Sequence, residues 1–184
     1  MKKLLIIILL LMPVLTMAQE IKFMGIKIDS KVDYFTQQLK AKGLKQTIDR
    51  FEEKQFKGTF ATYNNCTIIV TGTEVNRMVK SIEIQFEDVR NKEYERDKVF
   101  DNLLVQYKNK YGSKVKLKPM PDDDNILNYT SYIIKDGDVE IDITKCGPAK
   151  VSFLGTDCFV NIMYWNLKQK NIEETNPQKY SNDI

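Results

Sequence analysis

The sequence predicts an α+β fold in which two helices pack on one face of an antiparallel β-sheet. Three observations predict it. Residues 32–39 and 100–111 repeat apolar side chains at helical spacing. Residues 81–87 alternate Ile82, Ile84 and Phe86 with Glu83, Gln85 and Glu87, as in a strand with one dry and one wet face. Asp136-Gly137 separates two β-rich runs, where a hairpin turn belongs. Helices with one apolar stripe and strands with one apolar face bury both by stacking in two layers.

The 184-residue chain opens with Lys2 and Lys3, an unbroken apolar run over residues 4–11, a break at Pro13, and Thr16-Met17-Ala18 ahead of Gln19. This is the three-part layout of a secretory signal peptide over residues 1–18, with small residues at the cleavage positions. Its apolar core is too short for a stable membrane span, and no Cys follows the cut to carry a lipid. The expectation is an exported protein, periplasmic or extracellular, with no membrane span after cleavage. Residues 19–168 are expected to form one α+β domain with halves of about 19–90 and 91–168. Residues 169–184 are polar, contain Pro177, and read as a flexible tail.

After an apolar entry at Ile21, Phe23, Met24, Ile26 and Ile28, Ser30 is placed to cap a helix over residues 31–42. Asp33 takes the box position, Val32, Phe35 and Leu39 form the buried stripe, and Gly43 is the stop. Strands are expected at 56–63 and 66–71, joined across Asn64-Asn65, and at 81–87. A second helix presents Phe100, Leu103, Leu104, Tyr107 and Tyr111 on one side and ends at Gly112. The mixed charges of residues 92–98 read as its solvated face. Residues 114–125, with Pro119, Pro121 and Asp122-Asp123-Asp124, form a loop or short strand. Strands follow at 129–135 and 139–145, with Val139, Ile141 and Ile143 on one face, then at 151–154 and 158–165. The order of helix, strands, helix, strands gives the two halves the look of degenerate copies of one unit of a helix and three or four strands.

Composition narrows the chemistry. Lys and Arg number 28 against 25 Asp and Glu, and loss of Lys2 and Lys3 with the leader lowers the formal charge from +3 to +1. A near-neutral chain has no electrostatic drive toward nucleic acid or an acidic membrane. There is no His, which removes the usual general base, the commonest metal ligand and every His-dependent triad. Three cysteines, Cys66, Cys146 and Cys158, cannot build a four-cysteine zinc site. Export permits a disulfide. Cys66 and Cys158 share the inward parity of their strands, whereas Cys146 has the wet parity of Glu140 and Asp142 but lies close to Cys158 in sequence. A Cys66–Cys158 bridge, a Cys146–Cys158 bridge and no bridge all stay open, with an odd thiol in either bridged case. Without a base beside it, none of the three is an activated nucleophile.

The acidic segments Asp122-Asp123-Asp124-Asn125 and Asp136-x-Asp138-x-Glu140 lack calcium-loop spacing, and Ile141 stands where such a loop needs Gly. Ser113-x-x-Lys116 stands alone, without the companion motifs of penicillin-binding enzymes. No cofactor and no metal are expected.

Met24-Gly25-Ile26, the run Lys57-Gly58-Thr59-Phe60-Ala61-x-Tyr63-Asn64-Asn65-Cys66-Thr67-Ile68-Ile69-Val70, the helix ending Lys110-Tyr111-Gly112, and Cys158-Phe159-Val160 with Tyr164-Trp165 resemble a group of small exported proteins from Bacteroides-type bacteria, over roughly residues 20–168. The resemblance implies export and brings no catalytic or binding residue with it. The repeated helix-plus-sheet pattern is similar, in shape alone, to the fold of the β-lactamase inhibitor protein.

Function is left to surfaces. Along 158–165, Phe159, Met163 and Trp165 share one side with Asn161, and Val160, Ile162 and Tyr164 share the other. Either the strand is central and buried on both faces, or its aromatic side is offered to a protein or glycan partner. The leading expectation is a non-enzymatic binding or protein-interaction module of the cell envelope or secretome. A small hydrolase using paired carboxylates and a structural envelope component are the alternatives.

Overall fold

The computed structural model describes residues 20–119, 129–147 and 159–175. The leader 1–18, the acidic segment 122–125, the expected strand 151–154, Cys158 and residues 176–184 lie outside the described residues.

The described chain begins with a hairpin, β1 (Lys22–Phe23) and β2 (Ile26–Lys27). Helix α1 (Val32–Ala41) leads into a meander of β3 (Lys45–Asp49), β4 (Glu53–Phe60), β5 (Tyr63–Gly72) and β6 (Val79–Phe86). Helix α2 (Glu93–Tyr111) leads into β7 (Lys116–Leu117), β8 (Tyr129–Asp136), β9 (Val139–Cys146) and β10 (Phe159–Asn166). A short helix, α3 (Leu167–Glu174), follows directly. The two meanders join through their last strands, so one antiparallel sheet of eight runs β3-β4-β5-β6-β10-β9-β8-β7. The α+β fold expected from the sequence is the fold that forms, and among the described residues each half has a helix followed by four strands.

Ladder partners project to the same face of a sheet. Phe56, Ile68, Ile84, Ile162 and Ile143 therefore form one fully buried row across five strands. Val70, Ile82, Tyr164, Ile141 and Ile134 form the next. Val32, Phe35 and Leu39 of α1 and Val99, Phe100, Leu103 and Tyr107 of α2 close over these rows in one cluster. Each large side chain so buried contributes about 1.5–3 kcal/mol. The β1–β2 hairpin completes this layer: Phe23 stacks on Phe60 at 5.5 Å, meets Tyr164 edge-on at 5.3 Å and reaches Phe35 at 6.0 Å. Gly72 lets α1 approach the sheet, because a Cβ there would lie 2.6 Å from Val32 Cγ2. Among the described residues no helix is long and apolar enough to cross a membrane.

Local details depart from the expectations. Lys31, not Ser30, occupies the N-cap of α1, and the Ser30 hydroxyl donates to Lys27 O at 3.0 Å. The β4–β5 turn falls at Ala61-Thr62 instead of Asn64-Asn65, with Ala61 at φ 54°. Asn64 accepts from the Thr59 hydroxyl at 2.9 Å and Asn65 donates to Asp88 at 2.8 Å, so both amides tie strand ends together. An edge strand, β3, precedes them where none was expected.

The charged start of α2 is not uniformly solvated, since Arg96 is only 3% exposed. It stands one turn before Phe100 on the buried stripe, donates to Cys146 O at 3.0 Å, and grips Asp97 at 2.8 Å. Burial works to raise the Asp97 carboxyl, but the Arg96 guanidinium and Lys145 outweigh it and hold its pKa below the ordinary value. The stretch assigned to a tail begins as helix α3, with Asn166 accepting from Gln169 N at 3.3 Å and Gln169 and Glu173 buried. An Asn just before a polar run is an N-cap signal that the reading of 169–184 as loose passed over.

Candidate functional site

Strand β10 lies at the centre of the sheet, between β6 and β9. Its alternation sends Val160, Ile162 and Tyr164 into the core and leaves Phe159, Asn161, Met163 and Trp165 half-buried on the opposite face. The strand is central, as one reading had it, and its second face is partly open, as the other had it. Phe159, Met163 and Trp165, the proposed interaction residues, do share that face.

Neighbouring strands surround these side chains with polar groups in register. Asn161 lies between Gln85 and Thr144, Met163 between Glu83 and Asp142, and Trp165 between Ser81 and Glu140. Most of the polar groups are held in place by partners within the face. Glu83 accepts from Gln85 at 2.9 Å and from Asn161 at 3.3 Å, and Ser131 and Thr144 share a hydrogen bond of 2.9 Å. Lys135 pairs with Glu140 at 2.7 Å, and that hydrogen bond and charge raise the Lys135 pKa. Helix α3 returns along one end: Lys170 lies 4.9 Å over the Trp165 ring, and Lys80 pairs with Glu173 at 2.6 Å.

One group is incompletely used. Asp142 Oδ2 accepts from Lys118 at 2.9 Å, whereas Oδ1 is buried and has no hydrogen-bond partner among the described residues. A buried acceptor without a donor costs about 1–3 kcal/mol. It sits in register with Met163, in the middle of the face.

No family model, no curated protein and no solved structure matches this chain. Between β6 and β10 the surface dips into a depression of about 190 Å³ edged by Glu83, Gln85, Asn161 and Phe159. That is below the ~300–1,000 Å³ of drug-sized ligand sites. Elsewhere the face is a sheet surface of amides, hydroxyls and paired charges, with Ile69, Ile133, Phe159, Met163 and Trp165 among them.

The cysteines fall on different faces. Cys66 is in register with Phe86 on the helix-covered side, its thiol donating to Tyr63 O at 3.4 Å. Burial first, then the charges of Asp88 and Glu87, push the Cys66 thiol up, so it stays protonated and unreactive. Cys146 keeps the expected parity, in register with Tyr129 and Phe159, but it is 2% exposed and not on a wet surface. The Tyr129 and Phe159 rings, on the strands either side, lean to 6.4 Å from one another across it. Both bridges weighed from the sequence involve Cys158, which lies outside the described residues. Asp136 and Glu140, of the acidic segment 136–140, pair with Lys114 and Lys135. Among the described residues no cluster of three potential metal ligands occurs.

Proposed function

We propose that this chain is an exported, non-enzymatic binding module that docks a protein partner on the open face of its sheet. The observation that carries the reading is the placement of Phe159, Met163 and Trp165 on one open face, with Asp142, whose buried Oδ1 has no hydrogen-bond partner among the described residues, in register with Met163. Aromatic and Met side chains supply the desolvating anchors of protein interfaces, and charges already paired within one surface add little cost on docking. The shallow relief favours a partner that binds by area over a small molecule that must be enclosed. A rigid central strand also holds the anchors in place before contact, which limits the entropy lost on binding. Export is supported by the leader layout of residues 1–18, and the exported form is expected to begin at Gln19 by intact mass.

A photo-crosslinking amino acid at Asn161, on the open face, and another at Asp101, an exposed position on α2, test the docking surface in the native envelope extract. The expected result is a protein adduct from position 161 and none from 101, lost when Trp165→Ala is added to a folded protein. Equal capture from both positions defeats the proposal, and capture of glycan in place of protein replaces the partner class.

A further inference from the structure

The helix-covered side holds a cleft that the proposed docking surface does not use. It lies where the β1–β2 hairpin and the β4–β5 turn meet α2, and its volume is about 260 Å³. Met24, Phe60 and Leu103 supply apolar walls, and Tyr107 and Tyr164 line it from the core. Lys22 and Lys110, both exposed, stand at its edge, and no Asp or Glu lines it. Segments far apart in sequence converge here.

The tyrosines give the cleft a directional group. Their hydroxyls share a hydrogen bond of 2.5 Å, with Tyr107 8% and Tyr164 4% exposed. Each hydroxyl carries one proton, and a pair uses only one of its two protons internally. The second O–H is buried, and among the described residues no other acceptor reaches either hydroxyl. Burial pushes both phenols up in pKa, so both remain donors across the physiological range. A buried donor needs an acceptor, and both tyrosines line the cleft.

The lysines set the charge of that acceptor. Lys110 lies over the Tyr111 ring at 5.0 Å and has no carboxylate partner among the described residues. Lys22 touches Glu20 only at 4.0 Å, while Glu20 sits closer to Lys27, at 3.2 Å. Two residues of the rim, Met24 at φ 49° and Ala61 at φ 54°, hold the left-handed backbone that L side chains rarely adopt. Such conformations persist where the surroundings enforce them, often around a binding site.

We propose that this cleft binds a small carboxylate with an apolar body, its carboxylate drawn to Lys22 and Lys110 and accepting the unused Tyr107–Tyr164 proton. The apolar body lies against Met24, Phe60 and Leu103, and a cleft of this volume, also below the ~300–1,000 Å³ of drug-sized ligand sites, holds nothing larger than a single aryl ring or short alkyl chain. The site is on the opposite side of the sheet from Trp165, so it stands or falls independently of the docking surface.

The test uses 3-phenylpropionate and its neutral counterpart, 3-phenylpropionamide, titrated into the purified protein carrying ring-labelled tyrosine for NMR. Saturable shifts of the Tyr107 and Tyr164 signals by the acid are expected, with binding at least about tenfold weaker for the amide. Lys22→Ala with Lys110→Ala, both surface changes, should weaken the acid by about tenfold and leave the amide unchanged. Equal binding of acid and amide, an unaltered affinity in the lysine variant, or no saturable shift of either tyrosine up to about 10 mM would each overturn the proposal.

Discussion

Ile162 and Met163 are neighbours on β10, yet they live in different solvents. Ile162 is fully buried beneath the helices, in a row of Phe56, Ile68, Ile84 and Ile143. Met163 is half-buried on the other face, between the carboxylates of Glu83 and Asp142. The covered face is closed by three separate pieces, α1, α2 and the β1–β2 hairpin, and its polar content shrinks to groups such as the Tyr107–Tyr164 pair. The open face holds its charges by pairing them in the sheet plane, Lys135 with Glu140 and Lys118 with Asp142. The first arrangement makes stability and the second makes a surface, so substitutions on the two faces should separate the two properties.

The largest expected effect is on the covered face. Leu103→Asp places a carboxylate at a fully buried position under α2, where a charge without a partner costs several kcal/mol and loss of packing adds about 2–5 more. The protein should be unfolded at room temperature by circular dichroism, because typical domains have only about 5–15 kcal/mol to lose. A cooperative melt near that of the unsubstituted protein would show that α2 does not pack as described.

High pH tests the same face through its hydroxyls. Burial raises the Tyr107 pKa, and burial together with the adjacent Tyr107 raises that of Tyr164, both above the ordinary value of 10.0. A pKa raised in the folded state favours folding below the unfolded value and loses that contribution as pH climbs past it. Stability should therefore hold to about pH 10 and then fall by about 1.4 kcal/mol per pH unit for each tyrosine that ionises only when unfolded. Cys66, also raised by burial from 9.0, adds a slope of the same sign from lower pH, so Cys66→Ala isolates the tyrosines. Denaturant titrations between pH 9 and 12 measure this, and a flat profile would mean that the pair is open to water.

Much of this division could be read in the chain. The stripe of α2, the alternation of β6 and the two-sided run of β10 each declare a period, and period is a local property. The groups that give the cleft and the open face their chemistry do not. The Tyr107–Tyr164 bond joins residues 57 apart, and each tyrosine looked like another apolar stripe member. Asp142 looked like one acid on a wet strand, and only its place between Met163 and Ile133, with Lys118 on one oxygen, leaves the other oxygen without a hydrogen-bond partner among the described residues. Arg96 was hidden in a run of charges because sequence alternation of sign says nothing about which turn of the helix faces the sheet.

Two glycines give a smaller contrast inside the covered face. A Cβ at Gly72 would meet Val32 Cγ2 at 2.6 Å, and one at Gly58 would meet Leu44 Cδ2 at 2.5 Å. Val32 is β-branched and stiff in a helix, whereas the Leu44 methyl is the far end of a more mobile side chain. Gly72→Ala should cost about 1–3 kcal/mol as an overpacked contact. Gly58→Ala should cost less than half of that, a gap of a few degrees in melting temperature. Equal costs would show that α1 shifts to relieve either contact.

The smallest effect should come from the open face. Met163→Thr removes apolar area from a side chain that is half-solvated already, and the hydroxyl it brings lies beside carboxylates that accept hydrogen bonds. Threonine also suits a strand better than methionine. The two changes oppose one another, and the net shift in unfolding free energy should stay within about 0.5 kcal/mol, as for surface sites generally. At Ile162 the same replacement strands a hydroxyl among isoleucines, with no partner for it, and belongs with the large effects. If Met163→Thr leaves the melt unchanged yet abolishes the adduct captured from position 161, the open face is a surface made for contact. A loss of several kcal/mol at Met163 would instead make that face a second core, and the division between the two sides of the sheet would fail.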